Sequence, residues 1–122
     1  MKIPTIMLRD EAYLAAIRLC PCIRCGWRPC EAAHIRLTSA AAQGSGAGMA
    51  QKPSDNRVVP LCAPCHRTGR DADHAVGTKE FWRRMGLDPF YVSDLLFRSY
   101  EDGGAAQLAR AAHRLRLRTN TP

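Results

Sequence analysis

The chain has 122 residues, 18 of them lysine or arginine and 11 aspartate or glutamate, for a formal charge of +7. That length bounds it to one small domain with at most a tail, and the basic balance favours a polyanionic partner. With 46% hydrophobic residues it can build a core, yet no run approaches the roughly 18 apolar residues of a bilayer span, so no membrane partner is expected.

The opening Met1-Lys2-Ile3-Pro4 lacks the apolar run and cleavage site of a signal peptide. Six cysteines without an export signal fit a reducing compartment and metal binding better than disulfides, so a cytoplasmic location is expected. Asp10 reads as an N-cap, and Tyr13, Leu14 and Ile17 recur at helical spacing behind it. Pro21 stops this helix. The stretch 27–37 holds one expected strand, interrupted by Pro29 and carrying His34 near its end. Residues 38–53 have no hydrophobic period and read as a long loop, glycine-rich over 44–48. Val58, Val59 and Leu61 suggest a second strand leading to a brief helix near Cys65. Thr78 is expected to cap a helix through Met85, with Gly86 as its stop. Asp88-Pro89, a cap followed by proline at the first helical position, opens a helix to about Tyr100. Gly103-Gly104 reads as a hinge. Beyond it, 105–118 is helical in composition and contains no acid. Arg110, Arg114 and Arg118 fall on one face there, and Leu108, Ala111 and Leu115 on another.

Two C-x-x-C knuckles, Cys22/Cys25 and Cys62/Cys65, carry the clearest chemistry. Each short turn presents two thiolates to one point, so together they can close a tetrahedral four-cysteine zinc site. Four thiolates and one zinc ion leave the chain basic by about five charges. Cys20 sits too close to Cys22 for a knuckle, and Cys30 lacks a partner at knuckle spacing, so both read as free. A zinc ion with four cysteine ligands has no open position and cannot activate water. Chemistry must then come from the histidines that the knuckles hold in place. His66, directly after the last cysteine, can bind a second divalent ion, and His34 can act as a general base on water attacking a phosphodiester.

These residues resemble the HNH endonucleases, and more closely the phage-associated Ref-like (recombination enhancement function) group. The matching stretches are Tyr13-Leu14, Pro21-Cys22-Ile23-Arg24-Cys25-Gly26, Ala32-Ala33-His34-Ile35-Arg36 and Gly48-Met49-Ala50-Gln51-Lys52-Pro53-Ser54-Asp55. Val59-Pro60-Leu61-Cys62, Cys65-His66, His74-Ala75-Val76-Gly77 and Phe81-Trp82 complete them, covering roughly 10–97. The resemblance implies an α+β fold: a small zinc-stapled ββα-metal, treble-clef-like finger with added helices. On it, 1–102 is the zinc and nuclease domain with flanking helices, and 103–122 a basic C-terminal helix or tail. It also implies His34 as general base, His66 as metal ligand and His74 as a further ligand. Many HNH enzymes have a metal-binding aspartate directly before the base, where this chain has Ala33. Glu31, Asp55 or His74 must then replace it, and Asp55 is preferred. Asn56 lies one residue from the place expected of the middle asparagine, which Arg57 occupies, and is not assigned a catalytic role.

The expected activity is therefore metal-dependent hydrolysis of DNA phosphodiester bonds, in a phage or bacterial-host context linked to recombination. Zn2+ is the expected structural ion; Mg2+ or Mn2+ is the expected catalytic ion, with a second Zn2+ as the alternative. DNA is the expected partner, and a recombination protein is a further candidate. Arg36, Lys52, Arg57, Arg67 and Arg70 near the site, with Arg110, Arg114 and Arg118 on the last helix, are the candidate phosphate contacts. The rival expectation, supported by Ala33, is a non-catalytic zinc module that binds nucleic acid or a recombination protein.

Overall fold

The computed structural model describes residues 8–37 and 53–120. In chain order the elements are α1 (Glu11–Arg18), β1 (Glu31–His34), β2 (Val58–Leu61), a single π-helical turn (Pro64–Thr68), α2 (Asp73–Val76), α3 (Thr78–Met85) and α4 (Pro89–Arg118). The architecture is a small α+β arrangement in which one two-stranded antiparallel sheet pairs Glu31 with Leu61 and His34 with Val58. Among the described residues, no helix is long and apolar enough to cross a membrane.

Local chemistry sets most of the helix ends. Asp10 accepts the Tyr13 N–H at 3.0 Å, and Asp88 accepts the Phe90 N–H at 2.9 Å ahead of Pro89. Gly86 closes α3 with a left-handed φ of 76°, a conformation in which a side chain would be strained. Thr78 is the first residue of α3 rather than its cap, which is Gly77. α4 bends where the glycine pair suggested: Gly103 and Gly104 leave helical geometry, Gly104 at φ 68°, and helix resumes beyond.

One cluster of buried side chains joins the elements. Tyr13, Leu14 and Ile17 of α1 pack with Val58, Val59 and Leu61 of β2, Phe81 and Met85 of α3, and Val92 and Leu96 of α4. Leu108, Ala111 and Leu115, beyond the bend, belong to the same cluster, so the last helical segment is part of the core. Removing a leucine-sized side chain from water contributes about 1.5–3 kcal/mol. The arginine face of this segment stays outside, with Arg110, Arg114 and Arg118 all exposed. At the other end of the chain, Asp55 N–H donates to Leu8 O and Leu8 N–H to Ser54 Oγ, both at 2.9 Å, clasping the entry to α1 onto the residues before β2.

Candidate metal centres and the paired histidines

The first cysteine knuckle is a tight turn closed by Gly26 N–H to Cys22 O at 2.8 Å and Cys22 N–H to Trp27 O at 2.9 Å. Gly26 takes φ 83° to make that turn, which explains a glycine directly after the second ligand. Ile23 N–H donates to Pro60 O at 3.1 Å, fastening the knuckle to β2. The second knuckle follows β2 directly, and His66 N–H bonds Cys62 O at 2.8 Å as the chain enters the π turn.

These two turns bring the Sγ atoms of Cys22, Cys25, Cys62 and Cys65 within 4.8 Å of one another. Zn–S bonds of about 2.3 Å in a tetrahedron require sulfur separations of about 3.8 Å, and Cys25 and Cys62 are already 3.5 Å apart. None of the six cysteines is in a disulfide. The four thiols therefore fit a structural zinc ion, as their spacing predicts. Thiol donors, Cys30 first and then Cys65, push Cys22 strongly toward thiolate, and Cys65 is driven up by donating to Cys22 and by its burial. Burial is the main cause that pushes the Cys62 thiol up to about 11. Sulfurs this close share so few negative charges that a cation is needed to deprotonate them together. Arg24 supports the cluster from outside, donating from its backbone N–H to Cys22 Sγ at 3.4 Å and from its guanidinium to Cys65 Sγ at 3.3 Å. Cys30 is buried beside Cys22 with its Sγ also 3.4 Å from Trp27 O, while Cys20 donates to Ala16 O inside the core.

His34 and His66 are each held by a carboxylate from an opposite end of the sheet. His34 closes β1, and its Nε2 lies 2.9 Å from Asp55 Oδ1. The other Asp55 oxygen accepts the Asp10 N–H at 2.8 Å, and Arg9 stands 3.6 Å away. Asp55 is only 3% exposed. His66 Nδ1 lies 2.7 Å from Glu31 Oε1, at the first residue of β1. Glu31 also receives both Arg67 Nε and Nη2, at 3.0 and 2.6 Å, and these bonds, followed by the His66 bond, hold its carboxyl below the ordinary glutamate range despite partial burial. It is thus an acceptor, and the proton between it and His66 belongs on His66 Nδ1.

Of the residues expected to bind a second ion, His66 and His74 come together, with ring centroids 4.6 Å apart. Asp55 is not with them; it is spent on His34 and the N-terminal cap region. The carboxylate that does join them is Asp73, whose ligand atom lies within 4.8 Å of those of His66 and His74. Sequence reasoning passed over Asp73; its only signal was an acid directly before His74. Glu31, weighed as a replacement ligand, instead braces His66 and Arg67.

The candidate phosphate contacts divide by position. Arg36 and Arg70 are exposed, as are the three arginines of the last helix. Arg57 is turned inward, donating to Phe90 O, Ser93 Oγ and Asp94 Oδ1 of α4 and stacking on the Phe90 ring, so it ties β2 to α4. Arg67 is half-exposed but paired with Glu31. Lys52 and the 44–48 loop lie outside the described residues. No protein family, curated protein or solved structure matches the chain.

Proposed function

We propose that this chain is a metal-dependent DNA endonuclease of the HNH type, closest to the phage-associated Ref-like group, in which a ββα-metal finger is stapled by a four-cysteine zinc site. The observation that carries the reading is the pair of carboxylate-anchored histidines, His34–Asp55 and His66–Glu31, held at the two ends of the β1–β2 sheet beside a four-cysteine cluster whose ligands would by themselves fill the coordination of a zinc ion. A structural zinc site does not require such pairs, whereas a general base and a metal ligand each need a partner that fixes ring orientation and tautomer.

In this reading His34 takes the proton of the attacking water, and Asp55 orients its ring and stabilises the imidazolium that results. His66 and His74 hold a divalent ion, whose chemistry is to neutralise charge building on the phosphate and the leaving oxygen. The exposed Arg36 and Arg70, and Arg110, Arg114 and Arg118, contact phosphates without reading bases. Hydrolysis of strands handled during recombination is the assigned context.

A second reading, a non-catalytic zinc module on DNA, draws support from the low exposure of the His34 side chain, 9%, since a base must reach water. Plasmid nicking with Mg2+, Mn2+ or Zn2+ separates the two, run beside single-stranded circular DNA and a His34→Ala variant with unchanged zinc content. Cutting that needs added metal and disappears in His34→Ala supports the nuclease. DNA retention without cutting on either substrate supports the binding module.

A further inference from the structure

We infer that Trp27, at the tip of the first cysteine knuckle, stacks on an unpaired base, and that Arg28 and Arg116 beside it hold the flanking phosphates, so that the chain selects single-stranded over duplex DNA. The inference rests on DNA as the partner and not on cutting.

The chain has two tryptophans, and the fold treats them oppositely. Trp82 is 3% exposed inside the core, whereas Trp27 is 66% exposed. A tryptophan left in water forfeits one of the largest burial gains that any side chain offers. Trp27 nevertheless sits on a fixed backbone. Its carbonyl accepts the Cys22 N–H at 2.9 Å, and the Cys30 N–H bonds Arg18 O at 3.2 Å, tying the far side of the loop to the end of α1. An aromatic ring carried on a braced loop loses little freedom when a ligand stacks on it.

The surroundings select the ligand. Elsewhere in the fold arginines are spent on carboxylates: Arg18 on Glu11, Arg57 on Asp94, Arg67 on Glu31, and Arg83 and Arg84 on Glu80. Among the described residues Arg28 and Arg116 form no such pair. Arg28 follows the indole directly and is exposed. Arg116 reaches the knuckle from α4, where a Cβ added to Gly26 would stand 3.6 Å from its Nε. At about 100° per residue, His113 and then Arg110 follow Arg116 around the helix, and both are exposed. Positive charge therefore runs from the knuckle tip onto the outer face of α4, in a stretch, 105–118, that contains no acid.

An exposed indole among unneutralised guanidinium groups matches a single strand, whose bases each offer a face for stacking while the phosphates follow the basic surface. Stacking is indifferent to base identity. In a duplex those faces are covered by neighbouring base pairs, so only the arginines find partners. An apolar protein partner would bury the same guanidinium groups without acceptors, which is costly.

The test is binding. Zinc-loaded protein, with no divalent metal added so that no strand is cut, is titrated with oligothymidine and with a duplex of equal length. Anisotropy of labelled DNA reads affinity, and tryptophan fluorescence reads contact with the indole. The single strand is expected to bind more tightly and to quench Trp27, and the duplex to leave its emission unchanged. Trp27→Ala should weaken single-strand binding by about 5- to 150-fold, the range for one stacked base, with duplex binding unaltered. Trp27→Phe should keep most of the affinity, and Trp27→Leu, apolar but without a π face, should not. The side chain is exposed, so these variants keep the fold, which Trp82 emission and zinc content verify. Arg28→Ala with Arg116→Ala should lower the single-strand salt slope by about 1.4, at about 0.7 per phosphate.

Equal affinity for the two DNA forms, with wild type and Trp27→Ala indistinguishable, overturns the inference and leaves the nuclease reading standing. Binding of neither form overturns both. Trp27 emission that changes with protein concentration alone marks a contact between copies of the chain and overturns the inference as well. Single-strand binding that depends on Trp27 supports it even where no metal yields cutting, a result that counts only against the nuclease reading.

Discussion

Asp55→Ala removes a carboxylate that two other groups depend on, and its cost follows from the geometry. The lost contacts are the 2.8 Å bond from the Asp10 N–H and the 2.9 Å bond with His34 Nε2. Hydrogen bonds to a charged group contribute about 1.5–3 kcal/mol each, so the pair is worth about 3–6 kcal/mol. At 3% exposure water does not readily replace the carboxylate, so most of that loss is realised. The Arg9 contact at 3.6 Å has a side chain 47% exposed and adds at most about 1 kcal/mol. A domain of this size loses about 3–5 °C of melting temperature per kcal/mol, which places the expected drop at about 10–25 °C. Asp55→Asn retains one acceptor oxygen and should lose about half as much. Thermal unfolding followed by far-ultraviolet circular dichroism, on protein of verified zinc content, reads both variants. A drop below about 3 °C for Asp55→Ala would refute the claim that Asp55 organises His34 and the entry to α1.

Three further outcomes are expected. Chelating the zinc should unfold the chain, because structural zinc contributes about 10–16 kcal/mol of binding free energy against a domain stability of about 5–15 kcal/mol; an unchanged melting temperature in excess chelator would count against the four-cysteine site. Cys20, whose thiol is pushed from 9.0 up to about 11 chiefly by burial, favours the folded state only while neutral. Its contribution is intact below pH 9 and is lost as pH rises toward 11, since the unfolded chain releases that proton first; Cys20→Ala should flatten stability across that window, and an identical pH profile would contradict the assignment. Replacing Arg110, Arg114 and Arg118 together with alanine should lower the slope of log binding constant against log salt by about 2–3 on duplex DNA, given about 0.9 per phosphate contact. An unaltered slope would count against the last helix as a DNA contact.

The features readable in the sequence are those encoded within a few residues. A C-x-x-C turn carries its own geometry, so Cys22, Cys25, Cys62 and Cys65 converge as their spacing predicts. Asp10, Asp88-Pro89 and Gly86 act on the backbone next to them, and they mark real helix ends. The glycine pair at 103–104 announces the bend in α4 because Gly104 takes φ 68°, a conformation that favours a residue without a Cβ. Thr78 misled because threonine also fits the first helical turn, and Gly77 holds the cap position.

What tertiary structure alone decided is which carboxylate serves which histidine. Asp55 and Asp73 look alike in sequence. Strand register and the 8–10/53–55 clasp carry Asp55 to His34, while the packing of α2 on the π turn carries Asp73 to His66 and His74. The inward turn of Arg57 onto α4, and the burial of Leu108 and Leu115 that makes a tail into core, have the same origin. Contacts between residues tens of positions apart depend on how elements dock, and neither spacing nor composition encodes that docking.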